Sequence, residues 1–335
     1  MNLKISHISQ SKKIKVGITL GDPSGIGPQI VAKALSKRNL RDLAQFVIIG
    51  DEWVFNKAQG APCLPAGRKR KAQNFRFIDL NNVPHRNFSF GQIKAEYGKA
   101  SIEYIDKAIE LIKNKEVDCL VTAPISKEAT SLAGFKWIGH SEYLAYSFDV
   151  EDMAMMLANR YIRTSLVTQH LPLEKVPSHL DKNKIYKVIL LTYRALKEWF
   201  AIKEPRLAVC GLNPHASDGG LIGKEEKEII IPAINMAKNR IEHIEGPLPS
   251  DTAFLKAKNK VYDSVVAMYH DQALIPLKVL DFNSGVNITL GLPFVRTSPL
   301  HGTGFDIAGT ELARPDSLIE AIRTAVKCTL NLKKD

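Results

Sequence analysis

Short, nearly unbroken apolar runs alternate along the chain with longer stretches in which apolar residues return every three or four positions. Residues 14–20 (IKVGITL), 46–50 (FVIIG), 118–122 (DCLVT), 161–169, 206–211 (RLAVCG) and 261–268 read as buried strands. Residues 29–40, 98–115, 184–199 and a stretch from Gly223 to about Ala237 carry helical periodicity. In the second of these, Ala100, Tyr104, Ile105, Ala108, Leu111 and Ile112 share one face. Shorter helices are predicted over 143–148 and 253–258. Strands alternating with helices in this way predict an α/β fold on a mainly parallel sheet.

The polar residues gather where these runs end. GDPSGIGP follows the first strand as a tight turn and sets Pro28 at the start of the next helix. It is neither GxGxxG nor GxxxxGK[ST], so it reads as a strand–turn–helix joint and not as a phosphate loop. The densest cluster lies in residues 269–309, where His270 and Asp271 follow a strand, and Lys278, Asn287 and Arg296 come at spacings of eight, nine and nine. We place these groups at strand ends and loops. A lone Lys or Arg is ordinary solvated surface, but a cation, an amide and a guanidinium together suit a phosphate or carboxylate. The segment GHSE, residues 139–142, reads either as a ligand loop or as a helix start with Ser141 as the cap.

His170, His215 and His270 share one description: each lies just past the carboxyl end of a predicted parallel strand. Such ends line one edge of a sheet, where ligands bind in open α/β folds. Three imidazoles there suit a catalytic divalent metal with open positions, and Asp251 offers a carboxylate oxygen. No local signature such as HExxH accompanies them, so scattered structural histidines remain the other reading. His7, His85, His179 and His243 lie in polar or loop-like settings and are set aside.

Composition narrows the class. At 335 residues the chain is too long for one ordinary core, which predicts two domains. No apolar run is long enough to span a bilayer, and the first fifteen residues lack the apolar centre of a signal peptide. They read as a short disordered extension. Cys63, Cys119, Cys210 and Cys328 are far apart and three lie in or beside apolar runs, which fits buried thiols in a reducing cytoplasm. The formal charge of +11 raises nucleic acid as a partner. However, only Arg68 to Lys71 form a basic run and no recognition motif accompanies it, so a surface that attracts phosphorylated metabolites is preferred.

Several motifs resemble one family over nearly the whole chain. GDPSGIGP, VTAPISKEA, GHSEYLA, GLNPHASDGGLIGKEE, GPLPSDTAF, YHDQALIPLK and RTSPLHGTGFDIAG stand in the order typical of the 4-hydroxythreonine-4-phosphate dehydrogenase (PdxA) family. HGTGFDIAG and GDPSGIGP are more distantly similar to the isocitrate and isopropylmalate dehydrogenases. The resemblance implies two α/β/α lobes, residues 14–125 plus 302–335 and residues 126–301, with the active site in the cleft between them. It implies that His170, His215 and His270 bind one divalent metal (zinc, magnesium or cobalt), with Asp251 nearby. His140, Ser141, Lys278, Asn287 and Arg296 would hold the phosphorylated substrate, with Lys278 and Asp251 as the catalytic groups. His301, Gly302 and Thr303 would approach NAD, and Asp306 would accept hydrogen bonds from its ribose, disfavouring a 2′-phosphate. A homodimer with shared active sites is implied. The implied reaction oxidises 4-phosphooxy-L-threonine to a β-keto acid that decarboxylates to 3-amino-2-oxopropyl phosphate, in pyridoxine 5′-phosphate (vitamin B6) biosynthesis.

Four positions depart from the family pattern: Ser141 replaces Thr, Leu300 replaces the Asp before HGT, and Ser217-Asp218 replaces Gly-Glu. The rival readings are a sister dehydrogenase for 4-phospho-D-threonate or 4-phospho-D-erythronate, a metal-dependent phosphatase, and a non-catalytic metabolite binder.

Overall fold

The computed structural model describes residues 13–60, 75–137 and 139–334. The basic run 68–71, Cys63 and the expected N-terminal extension up to residue 12 lie outside them. The strands are β1 (Lys15–Thr19), β2 (Gln45–Gly50), β3 (Phe75–Asp79), β4 (Cys119–Thr122), β5 (Ala154–Ala158) and β6 (Arg163–Leu166). They continue as β7 (Leu207–Cys210), β8 (Ile244–Leu248), β9 (Ser264–Ala267), β10 (Val286–Leu290) and β11 (Val295–Pro299). All join one sheet in the order β3-β2-β1-β4-β11-β10-β5-β6-β9-β7-β8.

The chain is therefore α/β on a mainly parallel sheet, as its pattern predicts. Parallel pairing links β3-β2-β1-β4-β11 at one side and β6-β9-β7-β8 at the other. Antiparallel pairs join β11 to β10, β10 to β5 and β5 to β6. Three reversals in a row make the two parallel blocks run in opposite directions. β3-β2-β1-β4 come from residues 14–125 and the other strands from 126–301.

Helices close both faces. Asp316–Leu332 packs on β11, β4 and β10 and also touches the helix Gly27–Ser36. Two bonds from the sheet fasten it: Thr297 Oγ1 donates to the Ala321 carbonyl (2.8 Å), and the Leu300 N–H donates to Ser317 Oγ (2.9 Å). Lys182–Glu198 is capped by Asp181, whose carboxylate accepts from the amides of Asn183 and Lys184. Ser250–Lys258 and His270–Asp281 enclose a second apolar cluster built on Phe254, Tyr262, Leu274 and Leu277.

The structure corrects several boundaries. The helix expected over 29–40 runs from Gly27 to Ser36 and stops at Lys37, whose backbone is extended (φ −77°, ψ 117°). The strand expected over 161–169 keeps only Arg163–Leu166. The helix expected from Gly223 opens with a π-helical turn, Glu226–Ile230, before Ile231–Lys238. β3, β5, β8, β10 and β11 were not expected as strands. FRFID, VNITL and VRTSP mix polar with apolar residues, AMMLA lacks β-branched residues, and IEGPL contains Gly-Pro.

Candidate active site

The turn after β1 shows why the chain returns to one place. Gly21 sits at φ +71°, and a Cβ there would lie 2.3 Å from the Pro124 carbonyl oxygen, so only glycine admits the loop after β4 so close. The Asp22 amide donates to that same oxygen (2.9 Å), and Ile26 donates to the Thr303 carbonyl (2.8 Å). GDPSGIGP thus ties the loop after β4 to the HGTG loop. Asp22 is fully buried, and its Oδ1 accepts from the Ser24 amide (2.9 Å) while Oδ2 has no partner among the described residues. Burial pushes its pKa up to about 6, against the lowering effect of the Ser24 and Gly25 amides.

A cavity of about 360 Å³ opens over the antiparallel middle of the sheet. Met155 and Leu157 of β5, Asn287 of β10, and Arg296 and Ser298 of β11 line it. Thr122 ends β4, the loop after it brings Pro124, and the helix Lys127–Leu132 brings Lys127; the helix His140–Ser147 brings His140, Ser141 and Glu142; and the loop after β11 brings Leu300, His301 and Gly302. His170 follows β6 and His270 follows β9, with ring centroids 5.9 Å apart. His270, Leu274 and Lys278 are four residues apart on the helix His270–Asp281 and all reach the wall. The expectation that these polar groups sit at strand ends and loops is corrected here: Lys278 is helical, and Asn287 and Arg296 lie within strands.

Arg296 is 2% exposed. Its Nη1 donates to Thr289 Oγ1 (3.0 Å) and Nη2 to Thr122 Oγ1 (2.6 Å), and no described carboxylate stands within ion-pair reach. Burial lowers its pKa to about 10, partly offset by the charge of Glu142. Ser141 Oγ lies 3.3 Å from Thr289 Oγ1, extending the Arg296 network. Ser141 is not the helix cap: Gly139 holds that position in extended backbone without a side-chain bond. Burial, then the Arg296 charge, hold the His140 pKa well below the usual imidazole range. His170 is also lowered, by burial and then by Lys127 and His270. Four buried polar atoms at this cavity lack partners among the described residues: His140 Nε2, Asn287 Oδ1, Arg296 Nε and His301 Nε2. Buried groups are rarely left so, and four around one cavity mark a place where a polar ligand completes the bonding.

Four candidates are not on that wall. His215 lies on a left-handed run, with φ between 43° and 71° from His215 to Gly219. Its Nδ1 pairs with Asp218 Oδ2 at 3.0 Å, so one of the departing residues orients the imidazole. Asp251 is exposed in the first turn of its helix and accepts from the Thr252 amide. Thr303 touches the GDPSGIGP turn, and Asp306 is exposed. Among the described residues no three His, Cys, Asp or Glu side chains stand together to hold a metal ion. A neighbouring cavity of about 250 Å³ shares His301 and Gly302 and adds the apolar side chains Ile26, Ile307 and Leu312. A Cβ on Gly302 would meet nothing, so the backbone there is open to close approach by a ligand.

Sequence reasoning passed over Glu226 and Gln272. Glu226 is buried and accepts from the Leu212 and Asn213 amides (2.8 and 2.7 Å) and from Asn213 Nδ2 (2.9 Å), shaping the loop before His215. Gln272 accepts from the Met268 amide (2.6 Å) and donates to the Gly211 carbonyl (2.8 Å). The only signal for either was its place inside a recognised motif.

The profile described as "Pyridoxal phosphate biosynthetic protein PdxA" matches residues 41–325, most of the chain. The chain belongs to the PdxA family. A PdxA relative named 4-hydroxythreonine-4-phosphate dehydrogenase, from Sulfurihydrogenibium sp. (strain YO3AOP1), is 44% identical over 93% of this chain and 98% of its own length. A relative from Cupriavidus necator named D-threonate 4-phosphate dehydrogenase is 39% identical over 92% of this chain and 95% of its own. The crystal structure of 4-hydroxythreonine-4-phosphate dehydrogenase from Klebsiella pneumoniae superposes with a TM-score of 0.84 at 36% identity, covering 96% of this chain and 99% of that one. These PdxA relatives are named as dehydrogenases, and this chain is an enzyme of that family. No helix among the described residues is long and apolar enough to cross a membrane. Cys119, Cys210 and Cys328 are buried free thiols, each pushed by burial to a pKa of about 12.

Proposed function

We propose that the chain oxidises 4-phosphooxy-L-threonine, with NAD and a divalent metal, to a β-keto acid that decarboxylates to 3-amino-2-oxopropyl phosphate in pyridoxine 5′-phosphate synthesis. One observation carries this reading: a single cavity gathers buried polar atoms unpartnered among the described residues, a buried guanidinium with no described carboxylate in ion-pair reach, an ammonium and two adjacent imidazoles. Arg296 and Lys278 neutralise the substrate phosphate, the guanidinium as a planar fork and the ammonium as a point charge. His140, Ser141 and Asn287 complete its polar contacts. Binding energy at that remote group orients the reacting carbon.

The donor set on the cavity wall fits a divalent ion in part. His170 and His270 supply two nitrogens, and His215 supplies the third, with Asp251 near it. As His215 is not on the wall of its own chain's cavity, a second copy is the route by which a third imidazole arrives. When bound, the metal supplies Lewis acidity and the nicotinamide supplies a hydride acceptor. Lys278 and Asp251 are the proton-handling groups of the proposal. His301 and the open backbone of Gly302 face the dinucleotide, Thr303 holds their loop, and Asp306 takes the ribose hydroxyls and repels a 2′-phosphate. The homodimer is supported by an apolar stripe on the helix that carries His270 and Lys278. Ile275, Val279 and Phe282 are 61%, 81% and 44% exposed there.

A second substrate, 4-phospho-D-threonate, is favoured by the Cupriavidus relative's name. NADH formation from each substrate, with and without a chelator, tests both. Chelator-sensitive NADH from 4-phosphooxy-L-threonine is the expected result. NADH only from 4-phospho-D-threonate moves the chain to the second reading, and silence with both overturns the dehydrogenase assignment.

A further inference from the structure

Another cavity, of about 230 Å³, lies behind the first. Ala158 and Val286, partners across β5 and β10, form part of its lining, and the next pair along, Leu157 and Asn287, lines the catalytic cavity. Successive strand residues face opposite sides of a sheet, so the two cavities occupy opposite faces.

The side chains bordering this second cavity are unevenly charged: Arg160, Arg163, Arg323 and Lys327 against Glu320 alone. Arg160 is matched by Asp281 (3.3 Å) and Arg323 by Glu320 (2.7 Å). Arg163 and Lys327 have no carboxylate within ion-pair reach among the described residues. Arg163 lies over the Phe200 ring (4.5 Å) and gives one hydrogen bond, from Nη1 to the Asp263 carbonyl (3.2 Å). Its remaining N–H donors have no described acceptor. Burial lowers its pKa in spite of the nearby Asp263 charge. Lys327 makes no hydrogen bond or ion pair among the described residues. Arg163 is partly buried, and such a cation is costly to leave unmatched; nothing in the proposed reaction uses it or the exposed Lys327.

We propose that this cavity is a second anion site, which takes the phosphate group of a small metabolite. A phosphate dianion offers oxygens at once to the Arg163 fork, the Lys327 ammonium and the Thr324 hydroxyl on the same wall. The cavity is too small for a polymer backbone with its bases. A phosphate there would join the start of β6 to the helix Asp316–Leu332, beside the strand that carries Asn287.

Titration calorimetry of the full chain with inorganic phosphate tests this, in a Lys278→Ala background that weakens the catalytic phosphate site. That variant should still bind one phosphate per chain, and adding Lys327→Gln or Arg163→Gln should weaken binding about tenfold or more. Lys327→Gln alone should leave dehydrogenase turnover without added phosphate unchanged. No phosphate binding by the Lys278→Ala chain, or binding indifferent to both further changes, would overturn the site. Lys327 is exposed, so its variant keeps the test valid if loss of the Arg163–Phe200 contact harms folding. The measurement does not need turnover, so it stands or falls apart from the proposed reaction.

Discussion

Arg296 is held in a state that proteins avoid, a buried guanidinium with no carboxylate within ion-pair reach among the described residues. Its fork reaches two threonines from different strands, and its buried Nε has no partner among the described residues. Lysine keeps the charge but cannot give two forked bonds and a third donor. Arg296→Lys should therefore lower kcat/KM for the phosphorylated substrate by roughly ten- to a hundredfold, as expected for losing a charge-assisted bond. Steady-state kinetics read the effect, and unchanged kcat/KM with an intact fold would remove Arg296 from the site. Asp22 invites a different change. Its pKa is about 6 in the fold against 3.8 unfolded, so below 3.8 both states are protonated and burial costs nothing. As pH rises through about 6 the folded carboxyl ionises, and stability contributed by the neutral form is lost. Asp22→Asn should thus stabilise the chain at neutral pH by up to about 3 kcal/mol, and the gain should vanish near pH 3.8. Denaturant melts at several pH values check this; a gain independent of pH would show that ionisation is not the cause.

At the scale of elements, the helix His270–Asp281 brings both His270 and Lys278 to the cavity, and Gln272 ties its first turn to the sheet. Its side chain bridges the end of β9, through the Met268 amide, to the end of β7, through the Gly211 carbonyl. Gln272→Ala leaves both backbone groups buried and unpaired, which costs about 1–3 kcal/mol each before relaxation. The expected outcome is a lower denaturation midpoint together with weaker retention of the proposed metal, since His270, one of its proposed ligands, starts on the same turn. A lower midpoint with metal binding unchanged would make Gln272 a purely structural bridge. This element also shows what the sequence could and could not convey. The apolar runs at β1, β2, β4, β7 and β9 were legible because both faces of those strands are covered, leaving unbroken hydrophobic stretches. β10 and β11 were not, because Asn287, Thr289, Arg296 and Ser298 interrupt them with polar residues. Asn287, Arg296 and Ser298 line the cavity and Thr289 accepts from Arg296, so the features that mark the site also hid its strands. Lys278 was recognised as a site residue but placed with its neighbours at strand ends and loops, since a single helical face of His270, Leu274 and Lys278 is too short a repeat to stand out.

At the scale of the molecule, one sheet with opposed parallel blocks places the loops after β4 and β11 and those after β6 and β9 around the same central strands. His215, after β7, is left outside that wall. The proposed dimer resolves this if the face bearing Ile275, Val279 and Phe282 meets a second copy. These residues recur at four and three positions along one helix, which gives a continuous stripe beside the face that carries His270 and Lys278. Val279 is the most open of the three, so an aspartate there would cost the isolated chain almost nothing. In an apolar interface the same carboxylate would be buried without a partner, a penalty of several kcal/mol that appears in each half of a symmetric contact. Val279→Asp should therefore run as a single folded chain in sedimentation and retain its secondary structure. It should also lose turnover, because its cavities would hold two imidazoles and no third. Mixing it with a chain inactivated by His270→Ala should not restore activity. A Val279→Asp protein that stays paired would place the interface elsewhere, and one that is monomeric yet fully active would show that each chain completes its own site.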